Sequence, residues 1–249
     1  MEDPTRLGLN RTGMQMSPRN SEALLDAARE AAATLDPNEA DQPEALLMSE
    51  LRRQYVNEAE ALGSMPPPGT LAGALKSGAG MITGKRLHVL IDKVAERMAY
   101  ERGGTRLYDA ALVKVAALAQ GTPVSVERVK QIRNQEAEHA ELLRQALVEL
   151  GADPTAQTPC ADLVGVQSMG LMQSITDPRT SLAQTLSSLL AAELIDVASW
   201  EMLGRLARSM GHEELAERFD RALDQENEHL TTVNGWYEGM LSTDAKVLS

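Results

Sequence analysis

The chain has 249 residues, a formal net charge of −12 and only 3% aromatic residues. That length allows one or two domains and a sizeable core, while the acidic balance argues against non-specific nucleic-acid binding. One cysteine, Cys160, rules out an intrachain disulfide and any cysteine-based zinc or iron–sulfur site.

Strand signals are almost absent and Ala, Leu, Glu and Arg abound, so an all-α protein is expected. Residues 1–17 lack an apolar run, so no secretory signal is read there. No run of about 18 apolar residues occurs, so no membrane span is expected, and a cytoplasmic location follows. Residues 1–20 read as an irregular arm. Ser21 can cap a helix reaching about Thr34, stopped by Asp36-Pro37-Asn38. A second helix is expected from Pro43 to Ala61, with proline in its first turn. Gly63 to Gly69, with three prolines, reads as a stop and a stiff linker. Residues 71–85 hold four glycines and are either loop or weak helix. Residues 1–85 together form an arm with accessory helices.

Four long amphipathic helices are expected next, over Arg86–Ala119, Val124–Leu150, Ser181–Met210 and Glu213–Met240. Gly151 and Gly211 follow two of them as stops. Residues 151–180 make a long crossover with a short helix near Ala161–Ser174. The last nine residues read as frayed. Apolar residues recur at steps of three and four, which marks the buried stripe of each helix. In the first, the stripe runs Leu87, Ile91, Val94, Met98, Glu101, Thr105, Tyr108, Leu112, Val115. In the second it runs Val129, Ile132, Glu136, His139, Leu143, Leu150. The third gives Leu186, Leu190, Glu193, Val197, Trp200, Ala207, and the fourth Leu215, Phe219, Ala222, Glu226, His229, Val233, Trp236, Met240.

Six polar residues therefore sit on core faces, and they repeat. Gln135-Glu136-Ala137-Glu138-His139 returns as Gln225-Glu226-Asn227-Glu228-His229. Glu101 is followed seven residues later by Tyr108, and Glu193 by Trp200. The copies are offset by 92 residues at the first glutamate and 90 at the second, as a duplicated helical hairpin would be. Residues three apart on a helix share a face, so each Glu-x-x-His aims a carboxylate and an imidazole the same way. Antiparallel packing about the turns brings Glu101 level with Glu136 and His139, and Glu193 level with Glu226 and His229. Burying four unpaired carboxylates would cost several kcal/mol each. Two divalent cations would neutralise them, with histidines completing the ligand shells.

This ligand set resembles the ferritin-like di-iron carboxylate proteins, in which two helices each give one Glu and two each give Glu-x-x-His. The resemblance covers about Arg86 to Met240 and is closest to the small members, ferritins and rubrerythrins. It implies a ferritin-like four-helix bundle with a crossover between helices two and three. It implies metal ligands Glu101, Glu136, His139, Glu193, Glu226 and His229. Two Fe ions are expected, with Mn or a mixed Mn/Fe pair as the alternative, bridged by Glu136 and Glu226 about 3.5–4 Å apart.

The implied function is redox chemistry with O2 or hydrogen peroxide, or oxidation of ferrous iron. The alternatives are an iron-storage or buffering protein and a helical interaction module with a structural metal. The chain has no paired cysteines and no Gly-rich dinucleotide loop, so an external electron donor is expected, together with a homo-oligomer and neither nucleic acid nor membrane as partner. Tyr108 is the candidate catalytic residue, through a redox or hydrogen-bonding role, and Trp200 lines the site. Asp196 is either an additional ligand or a solvated side chain. Glu96 rivals Glu101 but points about 140° away from the stripe. His88 and His212 read as surface residues, and Met169 and Met172 as core. Gly103-Gly104 would allow either a close approach or a bulge beside the site. Larger di-iron oxygenases carry Asp before the second glutamate, where this chain has Gln135 and Gln225. That departure points away from hydrocarbon oxygenation and leaves open what orients the outer nitrogen of each histidine.

Overall fold

The computed structural model describes residues 26–27, 30, 43–59, 65–66 and 87–247. The arm, the Pro-rich linker and the glycine-rich stretch read from the sequence lie largely outside them. The helix read over residues 21–34 is described only at 26–27 and 30, where it is helical. The chain divides into two compact units, Met1–Ala61 and Leu62–Ser249; the boundary expected at residue 85 lies outside the described residues. In the first unit, α1 spans Pro43–Glu58, three residues shorter than expected. Its polar residues pair along its own surface, Arg53 with Glu50 and Gln54 with Glu58.

The second unit is built from α2 (Leu87–Leu118), α3 (Val126–Leu150), α4 (Pro159–Gln167), α5 (Met169–Thr176), α6 (Leu182–Ser209) and α7 (Glu213–Val247). No strand occurs among the described residues, and none of their helices is long and apolar enough to cross a membrane. The ends of these helices follow local chemistry. Ser125 caps α3 through the Arg128 amide, and Gly151 ends it at φ 86°, a left-handed geometry that favours glycine. Ser181 and Gln184 form a reciprocal capping box at the start of α6. The α7 helix continues past the expected end at Met240 to Val247, with residues 241–245 exposed.

Two apolar layers fill this bundle. One joins the start of α2 (Leu90, Val94), the end of α3 (Leu143, Leu147), the end of α6 (Trp200, Leu203) and the start of α7 (Phe219). The other joins the second half of α2 (Leu107, Ala111), the start of α3 (Val129, Ile132), the start of α6 (Leu186, Leu189) and Val233 of α7. Hence α2 and α7 run one way while α3 and α6 run the other. Because α3 ends in the first layer and α6 begins in the second, the connection must travel the length of the bundle. The α4–α5 pair does so, with Ala161 in the first layer and Ile175 in the second. Lys114 of α2 fixes the arrival of this crossover by donating to the carbonyls of Asp177 and Thr180.

The buried faces differ from the sequence reading in detail. On α6, Leu190 and Val197 are only half-buried, while Leu189, Ala192, Asp196 and Leu203 are buried. Met172 is half-buried against the second layer as expected, but Met169 is exposed.

Candidate metal centre

Between the two apolar layers lies a polar one. Glu101, Glu136, His139, Glu193, Glu226 and His229 are each at most 2% exposed. All six sequence candidates therefore face the interior at one level. Their ligand atoms form two overlapping groups, Glu136–Glu193–Glu226–His229 and Glu101–His139–Glu226, in each of which every atom lies within 4.8 Å of the others. Glu226 belongs to both, as a bridging carboxylate would. Glu136, expected to bridge as well, belongs to one only. Glu96 stays outside, half-buried and paired with Lys93.

The atoms converge without satisfying one another. Glu101 Oε2, both carboxylate oxygens of Glu136, His139 Nδ1, Glu193 Oε2 and Glu226 Oε1 are buried and make no hydrogen bond. His139 Nδ1 and Glu226 Oε1 are 2.6 Å apart, an ion pair only while the imidazole is protonated. Buried polar atoms are ordinarily paired, because each orphan costs about 1–3 kcal/mol. A set of orphans converging on shared points fits a cation better than it fits water or a salt bridge. Carboxylate oxygens and imidazoles suit divalent first-row metals.

The surroundings extend the duplication. Each hairpin supports the ligands of the other. Trp200 Nε1 donates to Glu101 Oε1 at 2.8 Å, and the Tyr108 hydroxyl donates to Glu193 Oε1. His139 Nε2 lies 2.7 Å from Gln225 Oε1, and His229 Nε2 lies 3.0 Å from Gln135 Oε1. An amide oxygen only accepts, so both histidines donate from Nε2 and turn Nδ1 inward. This answers what orients the histidines: the glutamine that precedes the ligand glutamate of the opposite hairpin. The signal was present in the sequence as a Gln in both copies, but its partner belongs to another helix.

Electrostatics of the metal-free site follow from burial. Burial and the Glu226 carboxylate push Glu136 and Glu193 well above the usual carboxylate range, against a lowering hydrogen bond from Tyr108 in the case of Glu193. Burial works against charge on His139, but Glu101 and Glu226 outweigh it and raise its pKa to about 10. Burial likewise opposes ionisation of Glu226, and His139 and His229 overcome it to bring its pKa to about 2. Burial and Glu193 push the Tyr108 phenol far up, so it remains a proton donor. Protons and metal ions therefore compete for the same atoms.

Sequence reasoning missed Arg97. It is 3% exposed and holds Glu101 Oε1 at 3.0 Å and Asp196 Oδ1 at 2.7 Å, with its guanidinium 4.2 Å from the centre of the Tyr100 ring. Its position one helical turn before Glu101 was the available clue. Asp196 is thus neither a solvated side chain nor part of either ligand group; it balances Arg97, and the site keeps the net charge of its four glutamates. Gly104 takes the close-approach role rather than the bulge. The α2 helix runs straight through it, and a Cβ there would collide with Glu136 Oε2. Gly103 meets nothing within 4 Å. His88 is exposed as expected, and His212 is half-buried.

A family model described as a domain of unknown function, DUF892, matches residues 105–246, more than half of the chain. The chain belongs to that family. Five of the six site residues lie inside the matched region, and Glu101 lies four residues before it. No curated protein and no solved structure matches the chain.

Proposed function

We propose that this DUF892 member is a ferritin-like di-iron carboxylate protein that reacts with O2 or hydrogen peroxide, or oxidises ferrous iron. The observation that carries the reading is the duplicated ligand set, six buried residues from four helices, five of them with unpartnered atoms, converging between two apolar layers. Glu101, His139 and Glu226 would hold one ion, and Glu136, Glu193, His229 and the shared Glu226 the other. Bound iron would supply the electrons for reducing the oxidant. The chain's own residues do the rest. The apolar layers exclude bulk water, and burial of every ligand admits only small reactants. Gln135 and Gln225 keep Nδ1 of each histidine directed inward. Tyr108 keeps the proton on its hydroxyl and donates it in a hydrogen bond to Glu193, which would steady that carboxylate as a ligand. Sustained turnover would draw on an external donor, since the sequence offers no second redox cofactor site.

The test is metal analysis with an optical spectrum, after purification from iron-supplemented cells, followed by mixing the reduced protein with peroxide or O2. Two irons per chain and a single-turnover oxidation support the proposal. Many irons per chain in a hollow assembly would replace it with storage. A redox-inert metal such as zinc would replace it with a structural role.

A further inference from the structure

We propose that the two metal positions are unequal and load in order, Glu136–Glu193–Glu226–His229 before Glu101–His139–Glu226. This deepens the metal-centre reading and rests on it. The duplication would make the positions equivalent, but two substitutions within it break the symmetry. At the offset of 92 residues, Arg97 corresponds to Leu189 and Gly104 to Asp196.

Each break acts on a ligand. Gly104 leaves a hollow beside its helix, and the Glu136 carboxylate lodges there, which assigns Glu136 to the group with Glu193 and His229. In the other hairpin the same place carries Asp196, so Glu226 has no such hollow. It stays between the histidines, 2.6 Å from His139 Nδ1 and 3.1 Å from His229 Nδ1. Arg97 meanwhile binds Glu101 Oε1, which also accepts from Trp200, leaving only Oε2 to face inward. Asp196 balances the charge of Arg97 but does not release Glu101. One position therefore offers three carboxylates, and the other offers two, of which one is shared and one is held by a cation. Affinity for a hard divalent cation rises with the number and charge of its carboxylate ligands, so the first position fills first. A divalent ion arriving second also meets the charge of the first, which widens the gap.

The experiment is a Co²⁺ titration of the chelated full-length protein by calorimetry, with anomalous diffraction from crystals grown at one equivalent. Two steps separated by roughly tenfold or more in affinity are expected, with the first ion beside His229. Gly104→Ala displaces the Glu136 carboxylate and should weaken the first step, closing the gap. The charge-balanced double variant Arg97→Leu/Asp196→Leu frees Glu101 and should strengthen the second step. Two ions binding within about threefold of each other in the wild type, or a first ion beside His139, would overturn the ordering while leaving the metal centre intact. No Co²⁺ binding at all would overturn the metal-centre reading itself.

Discussion

Stripped of metal, the protein should lose stability as the pH rises from neutral towards 10. His139 carries the argument. Its unfolded value is 6.5, and Glu101 and Glu226 hold it at about 10 in the fold despite burial. Between these values the folded chain keeps a proton that the unfolded chain has released. The contribution is fully present below pH 6.5 and is lost as the pH climbs to about 10. Each retained proton corresponds to about 1.4 kcal/mol per pH unit. For a domain of this size that is about 3–5 °C in Tm per pH unit. Glu136 and Glu193 are also raised, so they steepen the fall with the same sign. Glu226, brought to about 2, acts oppositely, but only below the ordinary carboxylate range of about 4.3. The assay is thermal unfolding of chelated protein from pH 6.5 to 9.5, followed by circular dichroism. The metal-loaded form, with cations in place of protons, should show a much flatter profile. A chelated protein whose Tm is flat or rises across that range would refute the placement of a protonated His139 between two carboxylates.

Further outcomes follow from the same geometry. Chelation should lower Tm at fixed pH, because at a hundred times its Kd a ligand specific for the folded state stabilises it by about 2.7 kcal/mol; matched melting curves would show the glutamates to be content without cations. Calorimetry in buffers of different ionisation enthalpy should show proton release on metal binding, since ions replace the protons held by Glu136, Glu193 and His139. Glu136→Ala should abolish reaction with peroxide while retaining helical content, whereas Glu96→Ala, which removes a partly exposed pair worth under about 1 kcal/mol, should react normally. Gln225→Leu should weaken metal binding about 10–100-fold, with Gln225→Glu, which keeps the acceptor, restoring much of it; equal affinities for all three proteins would show that the His139 contact is incidental. Arg97→Leu alone leaves Asp196 buried without its cation and should destabilise by roughly 3–5 kcal/mol, more than the double variant with Asp196→Leu.

The sequence by itself determined the helices of the bundle, their core stripes and all six converging side chains. These depend on the 3.6-residue period and on a duplicated spacing, both of which are properties of a single helix or hairpin. The crossover was legible as well, because Pro154 and Pro178 interrupt helix and a connection of some thirty residues can span the bundle. What only the tertiary structure decided are contacts between helices. Nothing local in Gln135 or Gln225 says that each meets the histidine of the other hairpin. Nothing in Gly104 says that a carboxylate from α3 will occupy the space its missing side chain leaves. Arg97 looks like an ordinary surface cation until Asp196 arrives from α6, because a charge can be buried only where the fold brings its counter-charge. The burial of Asp196 on α6 likewise depends on Arg97 of the facing helix, a neighbour its own period cannot encode.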